Sequence, residues 1–289
     1  MEESTASLAP IEIREPVRPP PVRPSVGRVL RALFVEHRLP YRIQMARERF
    51  LHSIGLTTKK VEFDGLRFQV RRLAWDEGFL RHAIEREDYT KGGFSLHETD
   101  TVIDIGANIG AFAVYAARQV PRGRVIAFEP ASDNYEQLAR NAALNHLSNL
   151  TPLRAAVAGR AGVITLYRGE GSGVHSTTEG HLAAFTGTEE VEAMSLEDVF
   201  NRYQIERCQL LKLNCEGAEY EILYSAPESV LAKIKRIAME YHAKENKRQK
   251  ANEMVSFLRQ HGFEVVEYKD YVDLDCGFLS VQRAAGADD

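Results

Sequence analysis

Hydrophobic positions in this chain follow two periods, and the switches between them mark out the elements. Thr101–Ile105 (TVIDI) and Arg124–Phe128 (RVIAF) are short, nearly continuous apolar runs, as expected of strands covered on both faces. Between them Ala113, Ala116 and Ala117 fall on one face of a helix. Five further strands are predicted over Leu150–Ala158, Cys208–Cys215, Ile234–His242, Phe263–Tyr268 and Phe278–Gln282. A helix capped by Ser132 or Asp133 would bury Tyr135, Leu138 and Ala142. Another carries Met254, Phe257, Leu258 and His261 and stops at Gly262. Strand and helix in alternation predict an α/β fold with a seven-stranded, mostly parallel sheet and helices on both faces. Gly159–Gly169 reads as a short antiparallel insert. Glu170–Glu190 reads as a long polar loop of the kind used as a lid or recognition element.

The stretch ahead of this sheet is a prelude. Lys60–Arg71 alternates around Asp64-Gly65, a favoured hairpin turn, and Asp76–Glu87 reads as a helix. Two helical pieces divide near Pro40; the second places Ile43, Ala46, Phe50 and Ile54 at helical spacing and stops at Gly55. Residues 1–25 hold six of the eleven prolines, interleaved with arginines, which predicts a disordered or polyproline-like tail. The expected organisation is therefore a tail over 1–25, helices and a hairpin over 26–95, and a catalytic domain over 96–285.

Chemistry enters at the first strand-to-helix turn. A dinucleotide site would read GxGxxG, its second glycine admitting a pyrophosphate to the backbone. Here the turn is Gly106-Ala107-Asn108-Ile109-Gly110-Ala111, so Asn108 and Ala111 stand where glycines would. Asp104 lies just below the turn, where its charge would repel a phosphate and attract an ammonium group. Glu129 ends the second strand, followed by Pro130, and is placed to accept hydrogen bonds from ribose hydroxyls. These features suit S-adenosylmethionine, which carries an amino group, a sulfonium and a ribose but no phosphate. A nicotinamide-dependent oxidoreductase would share the fold but not this glycine spacing.

A second signal lies in polar residues on strands that should be apolar. Lys212, Asn214 and Glu216 alternate with Leu211, Leu213 and Cys215, and the next strand ends in Glu240 and His242. Unpaired polar groups in such places cost roughly 1–3 kcal/mol each, so their convergence on strand ends predicts a reaction site. A hydroxyl acceptor needs a base, and His242 is the first candidate because an imidazole titrates near neutrality. Lys212 and Glu216 are alternatives, and His175 and His181 of the long loop could also reach an acceptor. Asn214, Glu216, Glu240 and His242 are also donors to a metal, although none is required.

VIDIGANIG, VIAFEP with Asn134 downstream, LKLNCEGAEYEIL and MEYH together resemble the FkbM-type methyltransferases, over roughly Asp76 to Arg283. The resemblance implies a class I, S-adenosylmethionine-dependent methyltransferase, O-methylating a hydroxyl of a sugar, polyketide or other small metabolite. It also implies a reversed final strand. Asp104, Gly106, Ala107, Asn108 and Gly110 would surround the methionyl part, Glu129 and Pro130 the ribose, and Asn134 and Ala155-Ala156 the nucleoside. Where that family has Lys-x-Asp, this chain has Lys212-Leu213-Asn214, which removes a carboxylate. An N-methyltransferase, a metal-assisted enzyme and a non-catalytic binding protein remain open.

Composition narrows the partners. In 289 residues, 44% hydrophobic and 27% charged, the net charge of −4 argues against a nucleic-acid backbone. The basic run Lys244–Lys250 contains Glu245 and reads as a solvated helix start. Three cysteines without CxxC spacing fit a reducing, cytoplasmic setting. No apolar run approaches the roughly 20 residues of a membrane span. The expected partner is a small hydroxylated molecule, and a homodimer is compatible with the prelude.

Overall fold

The computed structural model describes residues 49–85, 89–90, 94–169, 175–176, 186–243, 245–271 and 274–284. The proline-rich tail, the first helical piece, the start of the second with Ile43 and Ala46, and most of the long loop, with His181, lie outside them. The chain divides into two units, Met1–Thr57 and Thr58–Asp289. In the first, residues 49–53 are helical and Gly55 closes the helix with a hydrogen bond to His52 O at 3.0 Å.

The second unit opens with the expected hairpin. Strands β1 (Thr58–Phe63) and β2 (Leu66–Arg71) pair antiparallel around Asp64 and Gly65, with Phe63 opposite Leu66. Helix α1 (Asp76–Leu80) is shorter than the spacing predicts, because Arg81–Glu85 widens into a π turn. β3 (Thr101–Ile105), α2 (Ala111–Gln119), β4 (Arg124–Phe128), α3 (Ser132–Leu144) and β5 (Leu150–Leu153) follow in βα alternation. A second sheet is then inserted: β6 (Ala156–Val157), β7 (Gly162–Arg168), β8 (His175–Ser176) and β9 (Gly187–Met194). The main sheet resumes with α4 (Leu196–Arg202), β10 (Leu210–Leu213), α5 (Glu219–Tyr224), α6 (Glu228–Leu231) and β11 (Arg236–His242). It ends with α7 (Lys247–Gln260), β12 (Phe263–Asp270) and β13 (Cys276–Arg283).

The seven-stranded sheet has the order β12-β13-β11-β10-β3-β4-β5. Only β13 is reversed, pairing antiparallel with both β11 and β12. The order changes direction between β3 and β10, so β3 and β4 lead one way and β10 and β11 the other. A crevice opens there at the carboxyl ends of the strands, the place where open α/β sheets bind ligands. Val102, Ile103, Leu211, Leu213 and Ile237 are fully buried between the two layers of helices.

Three expectations need correction. The strand predicted over Leu150–Ala158 breaks after Leu153. β5 is the sheet's edge, where Pro152 is tolerated, and the chain then leaves it so that Ala156 and Val157 pair with β9. The long loop is not wholly irregular: Gly187–Met194 is a strand sandwiched between β6 and β7. Glu190 and Glu192 are exposed while Val191 and Ala193 are buried, and Glu189, on the face of the buried pair, engages Arg154 and Arg168. Helix α3 is capped by neither Ser132 nor Asp133. Its N-cap is Ala131, and Asp133 instead pairs with Arg71 and Arg168.

Polar side chains on α3 anchor the hairpin to the sheet domain. Asn141 Oδ1 accepts from Gln69 N at 2.7 Å, and Gln137 Nε2 donates to Gln69 O at 3.0 Å. Asn145 does the same for Arg67, accepting at 2.9 Å and donating at 2.7 Å. These amides satisfy the outer edge of β2, which would otherwise be left with unpaired backbone groups. Hence α3 buries Asn134, Gln137 and Asn141 beside Leu138 and Ala142, while Tyr135 is only half-buried.

Candidate active site

The crevice holds a cavity of about 560 Å³. Ile105, Gly106, Ala107 and Asn108 form one wall, and Phe128, Glu129, Pro130 and Asn134 another. Ala155, Ala156, Val157 and Leu166 add an apolar surface from the chain between the sheets. Lys212, Asn214, Glu216 and Glu240 arrive from β10 and β11, with Tyr89 and Phe112 above them. Most of the expected site residues therefore share one cavity. Asp104, Gly110 and His242 stand outside its lining.

The turn after β3 approaches the sheet too closely for a side chain. Gly106 has φ +75°, and a Cβ there would lie 1.8 Å from Asn214 O. Gly106 N and Ala107 N both donate to Phe128 O, at 3.0 and 2.9 Å, which lashes the turn to the end of β4. Asp104 does not face the cavity as expected. Its fully buried carboxylate lies 2.8 Å from Lys212 Nζ, and Nζ also donates to Gly106 O at 2.7 Å. Burial raises the Asp104 pKa, and Lys212 opposes that rise. The pair thus fixes the turn from below, and Lys212, ion-paired and donating, is not placed as a base.

Glu129 is held from three sides. Its Oε2 accepts from Asn108 N at 2.7 Å; Oε1 accepts from Ala131 N at 3.0 Å and from Asn134 Nδ2 at 3.4 Å. Asn134 Oδ1 in turn accepts from Arg71 at 2.8 Å, which directs its amide nitrogen toward Glu129. A guanidinium can only donate, so the amide can take only this orientation. Burial outweighs the hydrogen bonds and pushes the Glu129 pKa up to about 7. A carboxylate has about four acceptor positions, so one ribose hydroxyl can bind without displacing a protein donor. Displacing the long Asn134 contact would admit the second.

S-adenosylmethionine fits these residues. The apolar wall can cover an adenine, Glu129 offers the ribose an acceptor, and the only lysine or arginine among the described lining residues, Lys212, is occupied by Asp104. A pyrophosphate would find no free cation among those described residues.

The other end of the cavity is a network of acids around His242. Glu216 has φ +52°, just past the end of β10. Asn214 Nδ2 donates to Glu240 Oε2 at 2.9 Å and to Tyr89 Oη at 3.4 Å. Behind them Glu219, fully buried at the start of α5, accepts from Cys215 N at 2.6 Å and Gly217 N at 3.1 Å. His242 Nδ1 lies 3.1 Å from Glu219 Oε1, and its Nε2 lies 3.7 Å from Glu216 Oε2. Burial disfavours a charged imidazole, but Glu219, Glu216 and Glu240 overcome it and raise His242 to about 9. The same contact holds Glu219 below its usual value despite its burial. Burial lifts Glu216 to about 7, against the pull of His242.

These shifts separate the expected candidates for the base. His242 is an imidazolium at neutral pH and lies behind the cavity wall. Glu216 stands in the wall, and burial raises it to about 7. Glu240, His242 and Cys276 bring donor atoms within 4.8 Å of one another, close enough for a metal ion. The same groups are matched among themselves, however: Glu240 accepts from Asn214 and from the Cys276 thiol, and His242 faces Glu219.

Sequence reasoning left Glu219, Tyr89 and Cys276 unassigned. Glu219 was visible in the Glu216-Gly217-Ala218-Glu219 run, but only the fold shows that its carboxylate turns back to His242. His175 lines the cavity as expected. Among the described residues no helix is long and apolar enough to cross a membrane.

Several known proteins are similar to this chain in sequence. FkbM of Streptomyces tacrolimicus, a 31-O-demethyl-FK506 methyltransferase, is 28% identical over 80% of this chain and 95% of its own length. Methyltransferase sdnD of Sordaria araneosa is 30% identical over 50% of the chain and 68% of its own. The antimetabolite synthetase AmbE of Pseudomonas aeruginosa is 28% identical over 62% of the chain, a stretch that makes up only 10% of AmbE. Among solved structures, an FkbM methyltransferase of Methylobacillus flagellatus superposes with a TM-score of 0.46 at 13% identity, over 66% of this chain and 45% of that one. The family described as the methyltransferase FkbM domain matches residues 104–265, from Asp104 through the acidic network to β12. The chain belongs to the FkbM family of S-adenosylmethionine-dependent methyltransferases.

Proposed function

We propose that this enzyme methylates a hydroxyl group of a small metabolite, with Glu216 as the general base. The observation that carries the reading is Glu216 itself: a carboxyl raised to about 7, in the wall of the same cavity as the glycine turn and Glu129. A hydroxyl is a weak nucleophile, and a base titrating near the working pH is the most effective partner for its proton.

Bound S-adenosylmethionine supplies an electrophilic methyl on a sulfonium, a leaving group that needs no acid from the protein. The chain's own residues do the rest. Lys212 and Asp104 hold the Gly106 turn, and Glu129, Asn108 and Asn134 define the nucleoside end. Glu216 takes the hydroxyl proton as the new oxygen–carbon bond forms. The His242 imidazolium stabilises the Glu216 carboxylate before the reaction, and Asn214 keeps Glu240 engaged. Alignment of acceptor and methyl can supply on the order of 7–11 kcal/mol, more than proton removal alone. The name of the Streptomyces relative, a 31-O-demethyl-FK506 methyltransferase, supports an oxygen acceptor.

The test is transfer of labelled methyl from S-adenosylmethionine to a panel of alcohols and amines. Glu216→Gln should reduce turnover of alcohols by about 10²–10⁴-fold and leave cofactor affinity unchanged. Transfer to amines alone, indifferent to Glu216→Gln, would replace the oxygen acceptor with a nitrogen one.

A further inference from the structure

We propose that Trp75 is a fixed platform for the body of the methyl acceptor, and that this acceptor is an uncharged, largely apolar ring compound presenting one hydroxyl to Glu216. The inference rests on the methyl-transfer reading above and narrows its substrate.

Trp75 is 72% exposed and lines the cavity. Isolated exposed apolar side chains are ordinary, so exposure alone says little. What sets this one apart is that it is both held and placed. A Cβ built on Gly78 would lie 2.1 Å from Trp75 Cε3 and 2.4 Å from Cζ3, so the indole's six-membered ring rests directly on the Gly78 backbone. Any side chain at Gly78 would push the ring off its seat. Phe79 packs edge-on against the indole, with ring centroids 6.1 Å apart at 62°. The ring is thus supported from the protein side and open on the other.

The surroundings repeat the pattern. Leu73, two residues earlier, is 47% exposed and has φ +62°, an unfavourable conformation for a non-glycine residue. Backbone strain of this kind tends to gather at ligand sites, where the surrounding structure holds it. Leu73, Ala74, Trp75, Phe79 and Ala83 all line the cavity and none is charged. Among the described lining residues from 73 to 83, His82 is the one titratable group. Elsewhere the lining is polar, and β10 and β11 bring Asn214, Glu216 and Glu240 to it.

This division specifies the acceptor. A sugar would bring several hydroxyls to a rim that offers one imidazole, leaving most of them dehydrated and unpaired. A charged molecule would find no ion partner among the described residues of the rim. A ring with one hydroxyl matches both ends: its apolar body covers Leu73, Trp75 and Phe79, and its hydroxyl reaches the acids.

Trp75 is the chain's only tryptophan, so its fluorescence reports on this site alone. The full chain, saturated with S-adenosylhomocysteine, would be titrated with cyclohexanol, 2-decalol and 5α-androstan-3-ol, and with methyl glucoside for comparison. Saturable change in Trp75 emission with at least one ring alcohol, and none with the glucoside, is expected. Response to the glucoside alone, or to nothing, overturns the assigned class. Transfer kinetics with the best alcohol give the second arm. Trp75→Ala should raise its KM about tenfold with cofactor affinity unchanged, and Gly78→Ala, which leaves the indole present but unseated, should act in the same direction. An unchanged KM in both variants overturns the platform. Because the fluorescence arm needs no turnover, binding without transfer would count against the methyl-transfer reading and leave the platform standing.

Discussion

His242 Nδ1 lies 3.1 Å from Glu219 Oε1, and this contact governs the charge carried by the acidic network. Glu219 is fully buried and already anchored by two backbone N–H groups, so its charge is fixed in place. It holds a proton on His242 well above neutrality and leaves the imidazole unable to accept another. The charged imidazole then acts on Glu216, 3.7 Å from its Nε2.

The first prediction follows from that arrangement. With Glu216 titrating at about 7, kcat/KM should rise with pH through that value and level off above it. Glu216→Gln should abolish the limb along with most of the rate. His242→Gln removes the positive charge that favours the carboxylate, so the limb should move to higher pH while cofactor affinity holds. A pH–rate profile of the three proteins decides the matter; a limb that stays in place in His242→Gln would show that the imidazolium does not act on the base.

Stability should carry the same signature. His242 is raised from 6.5 to about 9, so its contribution is complete below pH 6.5 and is lost as pH rises through 9. Glu129 and Glu216, raised from 4.5 to about 7, contribute stability that is complete below pH 4.5 and lost as pH rises through 7. All three slope the same way. Glu219, lowered, runs in the opposite sense and is lost only as pH falls below the usual range for a glutamate. Thermal melting of the wild type should therefore weaken between pH 6.5 and 9, by about 3 kcal/mol if His242 acts alone. His242→Gln should flatten that part of the curve, and parallel curves for the two proteins would contradict the assignment.

Much of this site was legible before the fold, and the remainder was hidden for identifiable reasons. Gly106, Glu129 and the polar run from Lys212 to Glu216 stood out because each breaks the pattern its strand should follow. Strand order was not legible, since periodicity says nothing about neighbours. The partners of Asp104 and His242 were hidden for a related reason: alternation along one strand cannot show that Lys212 or Glu219 reaches across from another. β9 escaped because Glu189, Glu190 and Glu192 mask its period, and its pairing with β7 is what makes it a strand. Trp75 escaped because nothing in a sequence says that a tryptophan rests on a glycine three residues later.

The ion pair beneath the turn is open to a double-mutant cycle. Lys212→Met would leave the Asp104 carboxylate buried with its charge unmatched, a loss on the order of 3–5 kcal/mol. Asp104→Asn alone strands the ammonium in the same way. Combining the two removes both charges, so urea unfolding of the double variant should show a cost well below the sum of the singles. Additive costs would mean that the two groups do not support one another. Cofactor affinity should fall in all three variants, since Lys212 Nζ donates to Gly106 O and so shapes the wall of the cavity.

Glu129 joins cofactor binding to pH. Its carboxyl, at about 7 in the free protein, must be ionised to accept from a ribose without giving up one of its three protein donors. Affinity for S-adenosylhomocysteine, measured calorimetrically, should thus strengthen as pH rises from 6 to 8. Glu129→Gln cannot supply two acceptor oxygens, and its amide nitrogen would face the N–H of Asn108 or Ala131. Losing charge-assisted hydrogen bonds of this kind costs about 1.5–3 kcal/mol, or roughly 10- to 100-fold in affinity. The variant should bind weakly and with no pH dependence over that range. Arg71→Met offers a milder version through the chain of donors: with Asn134 Oδ1 unclaimed, the amide can turn and withdraw its hydrogen bond from Glu129. Tight, pH-independent binding by the wild type would remove Glu129 from the nucleoside site and move the ribose to another part of the cavity wall.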